Sequence, residues 1–330
     1  MQQRKLNSLM LDWSVDWAEL FGAERPLIVE IGFGNADYAI ALAQSNPNCN
    51  VVGFEVSSQS MFKSEKKIIR HQLPNIRAIH SRGETALHHL FTPASVREIH
   101  INYPDPWFKS RHAGRRIMQR DTLDAIVSRL EPDGLFFLAT DIVDYAEMSH
   151  ELLAETKGLD NLLDAPYVHE FSERLITTKY EEKGIREGRR GNYFKYRRNT
   201  HPAPYVPVKE ELPMPHIVLK TPMPPQDIAA QMEKMAFHAN DIHVVVLNAY
   251  WNPNYQTVLF DVVIEEPTID QHIALLLHPR EKTADFTLKY ATFGMPRTTE
   301  GVHYATHFIA EWIVSLHDEA EITSKRVAVG

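Results

Sequence analysis

Several scarcities narrow the reading before any motif is found. The 330-residue chain carries one cysteine, Cys49. Intrachain disulfides and cysteine-cluster zinc sites are therefore excluded, and a reducing, cytoplasmic setting is expected. No apolar run approaches the roughly 20 residues that a membrane helix needs, so no membrane association is expected. Arg4 and Lys5 lead into no apolar stretch, so no signal peptide is expected. A P-loop and a nucleophile elbow are also missing. The glycine fingerprint of dinucleotide sites is incomplete, because aspartate occupies position 37.

What is present describes a globular chain long enough for two domains. The net charge of −8 is unevenly spread: residues 1–200 hold 26 basic and 27 acidic side chains, and residues 201–330 hold 9 and 16. In the first part the cations gather after Tyr103 and again over Arg186–Arg198. Local patches of this kind set the field that a phosphate feels.

Strands and helices alternate along the first part. Continuous apolar runs predict strands over 27–31, 50–55, 76–80, 99–103 and 135–140. Helical spacing predicts helices over 8–22, 117–130 and 142–156, and Asn192–Tyr196 reads as a closing strand. The alternation argues for a doubly wound α/β sheet. Ligands of such sheets bind beyond the carboxyl ends of the strands. Glu30, Gly32, Gly34, Glu55, Asp105 and Asp141 all fall there. Eight prolines between 202 and 225 then mark a stiff linker. The expected division is a domain over 1–199, a linker over 200–225 and an α+β domain over 226–330, whose first strand can begin at 216. In that domain a helix is expected over 226–237, a hairpin over 242–265, strands near 271–278 and 284–293, and a helix over 301–317.

The chemistry concentrates in three stretches. Glu30-Ile31-Gly32-Phe33-Gly34 is a strand, a glycine turn and a helix start, and the glycines let a ligand approach the backbone. Glu30 and Asp37 would repel a pyrophosphate but suit the sulfonium and ammonium of S-adenosylmethionine. Glu55 lies about twenty residues on, the spacing at which an acid accepts ribose hydroxyls. Next, Asn102-Tyr103-Pro104-Asp105-Pro106-Trp107 fixes a carboxylate between two prolines, and Lys109, Arg111, His112, Arg115 and Arg116 follow it. Finally, Thr178-Lys179-Tyr180-Glu181 precedes a basic run that could supply phosphate contacts. Tyr193, Phe194 and Tyr196 read as core. His303, His307 and Glu311 have helical spacing but read as a wet helix face, and no metal is expected.

On these motifs, segment 27–198 resembles the bacterial tRNA (guanine-N7-)-methyltransferases. The carriers are Glu30–Gly34, Gly53-Phe54-Glu55, Asn102–Trp107, Lys109 with Arg111–Arg116, Ala139-Thr140-Asp141 and Thr178–Glu181. The resemblance implies a Rossmann-like class I S-adenosylmethionine-dependent methyltransferase fold, with the C-terminal α+β domain outside the family's usual core. It implies methyl transfer from S-adenosylmethionine to N7 of a variable-loop guanine in tRNA. Glu30, Gly32, Gly34, Glu55 and Asp105 would then contact the cofactor, with Asp105 also the catalytic residue. Lys109, Asp141, Thr178, Lys179, Tyr180 and Glu181 would contact the substrate, with Asp105 and Glu181 accepting from the guanine N–H groups. Arg111, His112, Arg115 and Arg116 would contact the RNA.

Two positions depart from the pattern. Ala36 replaces a third glycine, which is tolerable where the backbone does not need positive φ. Arg82, a position assigned with Glu84 to the cofactor, stands where the family offers an acceptor for adenine, so either Glu84 substitutes, or backbone groups do, or cofactor binding is weakened. Two other functions compete: methylation of a small molecule or exocyclic amine, and non-catalytic binding of RNA or cofactor. The acidic C-terminal domain is expected to face away from the RNA, to guide which tRNA enters, or to mediate homo-oligomerisation.

Overall fold

The computed structural model describes residues 5–280, 285–292 and 295–328, which form two compact units, 1–209 and 210–330. The first unit runs β1 (Lys5–Asn7), α1 (Trp17–Phe21), β2 (Leu27–Ile31), α2 (Asp37–Ser45), β3 (Asn50–Glu55), α3 (Ser58–His71), β4 (Ile76–His80), α4 (Gly83–His89) and β5 (Val96–Asn102). It continues with α5 (Arg120–Arg129), β6 (Leu130–Thr140), α6 (Val143–Ala154), β7 (Leu159–Asn161), α7 (Lys179–Arg186) and β8 (Asn192–Arg198). The strand order is β1-β4-β3-β2-β5-β6-β8-β7. Strands β1 to β6 are parallel, whereas β8 is antiparallel to β6 and β7. The unit is a Rossmann-like doubly wound sheet with one antiparallel pairing at β6/β8 and another at β8/β7.

β2 is buried along its whole length, as a central parallel strand covered on both faces must be. The order reverses between β2 and β5, which pair with Glu30 opposite His100 and Ile31 opposite Ile101. This switch point brings Glu30 and the glycine turn beside Asn102 and the Pro104–Pro106 loop. Tyr193, Phe194 and Tyr196 are buried, as core residues should be.

The helix expected over 8–22 is shorter. A 3-10 turn at Ser8–Met10 and α1 are separate, because Asp16 caps α1 by accepting from the Glu19 amide. Similarly, α5 begins only at Arg120, because Arg115 and the residues before it form their own 3-10 turn.

The second unit is α+β. It comprises β9 (His216–Lys220), α8 (Pro225–Ala230), β10 (Met235–Ala239), β11 (Ile242–Asn252), β12 (Thr257–Glu266), β13 (Ile269–Pro279), β14 (Asp285–Tyr290), α9 (Glu300–Ser315) and β15 (Glu321–Arg326). Its antiparallel sheet has the order β10-β11-β12-β13-β14-β9-β15. Burial alternates along β12, so one face packs a core that includes Ile309 and Ile313 of α9. The helix expected over 226–237 ends at Ala230, and Met235–Ala239 is a strand instead. Apolar Met232, Met235 and Ala236 mimic a helical period there. Pairing with β11 across the Asn240 turn, where φ is 53°, overrides that local pattern. His303 is not wet, as the helix-face reading had it: it is buried, and its Nδ1 accepts from the Ala328 amide.

The proline-rich stretch is divided between the units. Arg129 is fully buried and donates through Nη1 to Val206 O at 3.2 Å and through Nη2 to Pro207 O at 3.4 Å. A chain ending at Thr200 leaves those donors unpaired, at about 1.5–3 kcal/mol for each bond to a charged group. We therefore expect residues 1–200 to be about 3–6 kcal/mol less stable in denaturant than residues 1–209. Equal midpoints would show that the segment 201–209 is dispensable.

Candidate functional site

The glycine turn is held in one conformation by its own backbone. Gly32, Gly34 and Ala36 all have left-handed φ, at 75°, 56° and 65°. A Cβ on Gly32 would meet nothing within 4 Å, so open space adjoins the turn. The condition that made Ala36 tolerable is not met: its methyl group sits in the left-handed region, at a strain of roughly 1–2 kcal/mol. Glu55 braces the turn. Its Oε2 accepts from the Gly34 amide and its Oε1 from the Ser57 amide, both at 2.8 Å. A carboxylate has about four acceptor sites, so two remain for ribose hydroxyls.

Glu30 is buried. Its Oε1 accepts from Asn102 Nδ2 at 2.9 Å, while Oε2 is sealed from solvent with no hydrogen-bond partner of ordinary geometry. Burial pushes its carboxyl up to about 7, against the opposing pull of the Asn102 amide, the Arg174 guanidinium and the Ala39 amide. Glu30 lies two residues before an open glycine turn, and its charge suits the cationic ammonium of S-adenosylmethionine; with Oε2 sealed from solvent, direct contact requires that seal to open.

The sign of the pH dependence follows. A cation binds the ionised carboxylate, so below pH 7 a proton must leave first. Affinity for S-adenosylhomocysteine, which keeps the ammonium, is expected to fall up to tenfold per pH unit below 7 and to level off above it. Glu30→Gln should flatten that profile, and calorimetry in buffers of different ionisation enthalpy should register the released proton. In the ligand-free protein the carboxyl takes its proton more tightly when folded. Its contribution to stability is therefore present below pH 4.5 and lost as pH rises to about 7.

Across the switch point, the Asp105 loop is bracketed by Tyr103 and Trp107, whose φ values of 51° and 43° are left-handed. Arg116 clamps it: Nε donates to Pro106 O at 3.0 Å, Nη2 to Trp107 O at 3.2 Å and Nη1 to the Met148 sulfur at 3.3 Å. Arg116 is thus committed to the loop, unlike the open RNA-facing cation expected from the sequence. Asp105 is exposed and makes no hydrogen bond or ion pair among the described residues. Burial pushes the ionisation of the Tyr145 hydroxyl up, and the nearby charges of Glu84 and Asp105 add to it. Glu84 itself lies 3.7 Å from Arg82 Nε. Lys109, Arg111 and Arg115 are exposed. The Arg111 Nε donates to His112, and the Arg115 guanidinium lies 5.3 Å from the Trp107 ring centre.

Asp141 and the start of α7 complete the site. Asp141 Oδ2 accepts from Arg189 Nε at 2.7 Å. A Cβ on Gly184 would collide with Asp141, so glycine there lets α7 approach the end of β6. A cleft of about 450 Å³ opens beside Asp141, bordered by Phe108, His169, Arg189 and Asn192, within the size range of ligand pockets. Thr178 caps α7 in a capping box with Glu181. Lys179 and Tyr180 are exposed on the first turn, and a Cβ on Gly34 would lie 3.6 Å from Tyr180 Cε2.

Glu181 is placed differently from the expectation of an open acceptor for guanine. Only 6% exposed, it accepts from Arg174 Nη2 at 2.9 Å through Oε2 and from the Tyr193 hydroxyl at 2.6 Å through Oε1. Arg174, and the polar contacts of Tyr193 and Tyr38 around it, escaped the sequence reading. Arg174 is a lone cation in an aperiodic stretch, and the tyrosines carry only a core pattern.

Residues 24–193 match the family model described as putative methyltransferase. The tRNA (guanine-N(7)-)-methyltransferase of Thermus thermophilus is 32% identical over 302 residues, 91% of this chain and 92% of that protein. The Thermotoga maritima enzyme of the same name is 37% identical over 176 residues, 53% of this chain and 55% of that one. Among solved structures, the 16S rRNA methyltransferase KamB matches with a TM-score of 0.43 and 16% identity, over 56% of this chain and 93% of that one. No helix among the described residues is long and apolar enough to cross a membrane.

Proposed function

The chain belongs to the tRNA (guanine-N(7)-)-methyltransferase family, and from that premise we propose that it methylates N7 of a variable-loop guanine in tRNA, with S-adenosylmethionine as donor. The observation that carries the reading is the juxtaposition at the β2/β5 switch point. A buried carboxylate and an open glycine turn lie on one side, and an exposed, proline-fixed carboxylate on the other.

Bound S-adenosylmethionine supplies an electrophilic methyl group on its sulfonium. Guanine N7 already presents an in-plane lone pair, so the protein needs no base to create the nucleophile. As the N7–carbon bond forms and the carbon–sulfur bond breaks, positive charge passes to the purine. Asp105, unpaired among the described residues, is the carboxylate available to hold the base and offset that charge, while Asp141, already paired with Arg189, borders the adjoining cleft. Glu30 holds the ammonium and Glu55 the ribose. Positioning of this kind lowers barriers by about 7–11 kcal/mol. Lys109, Arg111, Arg115 and His112 supply phosphate contacts, and Lys179 and Tyr180 cover the bound base. The setting is the cytoplasm, and the C-terminal unit mediates self-association or selects the tRNA.

The test is incubation with labelled S-adenosylmethionine and bulk unmodified tRNA, followed by borohydride and aniline. Cleavage at a labelled variable-loop guanine is expected. Label incorporated without cleavage would reassign the methylated atom, and tRNA binding without label would leave a non-catalytic module.

A further inference from the structure

Methyl transfer to N7 makes no chemical demand on Arg174, yet the site is built around it. Its side chain is 11% exposed. Its donors are divided between two sides. Nη1 donates to Asn102 Oδ1 at 2.6 Å, while Nε and Nη2 donate to Glu181 Oε2 at 3.1 and 2.9 Å. Asn102 in turn donates to Glu30 Oε1. The guanidinium carbon lies 4.4 Å from the Tyr38 ring centre, and 5.8 and 5.7 Å from those of Tyr103 and Tyr193. One relay therefore runs Glu30–Asn102–Arg174–Glu181.

We infer that Arg174 is a positioning residue that couples the two ligands of the site, linking the cofactor acid Glu30 to the base-covering first turn of α7. The inference rests on the function proposed above. The relay has one orientation only. Arginine cannot accept a hydrogen bond, so Asn102 must turn its oxygen to Arg174 and its amide N–H to Glu30. When a ligand ammonium holds Glu30 in its ionised form, the Asn102 bond becomes charge-assisted and the amide is polarised toward Arg174. Arg174 then fixes Glu181. Glu181 also accepts from the Thr178 amide at 3.2 Å and so sets where α7 begins. Tyr180, one residue before Glu181, lies over Gly34 of the glycine turn. Cofactor binding thus orders the surface that covers the base, and a bound base favours the ionised state of Glu30. Lysine cannot substitute, since a point charge does not span two acceptors as the planar fork does.

Linkage requires each ligand to tighten the other by the same factor. The test measures binding of S-adenosylhomocysteine by calorimetry, with and without saturating unmodified tRNA, and tRNA binding with and without S-adenosylhomocysteine. This ligand keeps the ammonium but has no methyl to transfer, so the readout is independent of turnover. In the wild type a mutual factor of about five or more is expected. Arg174→Lys should reduce it below about twofold. Asn102→Ala breaks the relay without touching the Arg174–Glu181 pair and should do the same, and it decides the matter should Arg174→Lys fail to fold. A structural role alone would lower the melting temperature and both affinities while leaving the factor intact. A preserved factor in the variants, or no factor in the wild type, overturns the inference. Absence of N7-methylguanine from wild-type reactions would instead defeat the functional reading.

Discussion

Asp105→Ala is expected to lower single-turnover methylation about 100- to 1,000-fold, at saturating tRNA and S-adenosylmethionine, with little change in affinity for S-adenosylhomocysteine. The magnitude is that of removing one preorganised electrostatic contact from a reaction centre. The preorganisation is visible in the loop. Two prolines fix φ on either side of Asp105, and two bulky residues hold left-handed backbone around it, at about 1–3 kcal/mol of strain each. Arg116 ties down both carbonyls that follow. Strain of that size around a carboxylate without a partner of its own does nothing for stability. Asp105→Ala should accordingly unfold within about 0.5 kcal/mol of the wild type, as exposed substitutions do. Equal losses of turnover and of S-adenosylhomocysteine affinity would move Asp105 from the base to the cofactor.

The parts of the site that were legible in the sequence share one cause. Glu30, Glu55, Asp105 and Asp141 end apolar runs, and the carboxyl end of a buried strand is where a doubly wound sheet delivers side chains. Local pattern and tertiary position coincide there. For Arg174 they do not: it lies in a segment with neither period nor turn signature, and its partners are 7 and 72 residues away along the chain. The sequence displays Arg116 as one more cation in a basic cluster. Only the structure assigns it to carbonyls 9 and 10 residues before it. In the C-terminal unit, the Met235 strand was hidden because its pairing partner follows a two-residue turn whose left-handed asparagine lacks the usual glycine. The linker prolines mark a change of composition, but the acceptors that Val206 and Pro207 offer to Arg129 could not be foreseen from composition.

Glu181→Ala is expected to be the most destabilising single change at the site. The carboxylate is buried, with Arg174 on one oxygen and the Tyr193 hydroxyl on the other. Alanine would strand a buried guanidinium and a buried phenol together. Breaking a buried ion pair from one side costs about 3–5 kcal/mol. In a unit of 209 residues, at about 2–4 °C per kcal/mol, the melting temperature should fall by about 6–20 °C. Glu181→Gln can keep its oxygen toward Arg174 and the Thr178 amide, which preserves the capping box, and turn its NH2 to donate to the Tyr193 hydroxyl, so its loss of stability should be smaller. The two variants separate a strut from a substrate ligand. If Glu181 acts through α7, Glu181→Gln should weaken tRNA binding in step with its loss of ligand coupling, and added arginine-to-neutral change at Arg174 should cost little more, because the partner charge is then no longer stranded. A Glu181→Gln variant that binds tRNA and S-adenosylhomocysteine as cooperatively as the wild type, yet fails to methylate, would mean that this carboxylate swings out of its buried pair to meet the guanine.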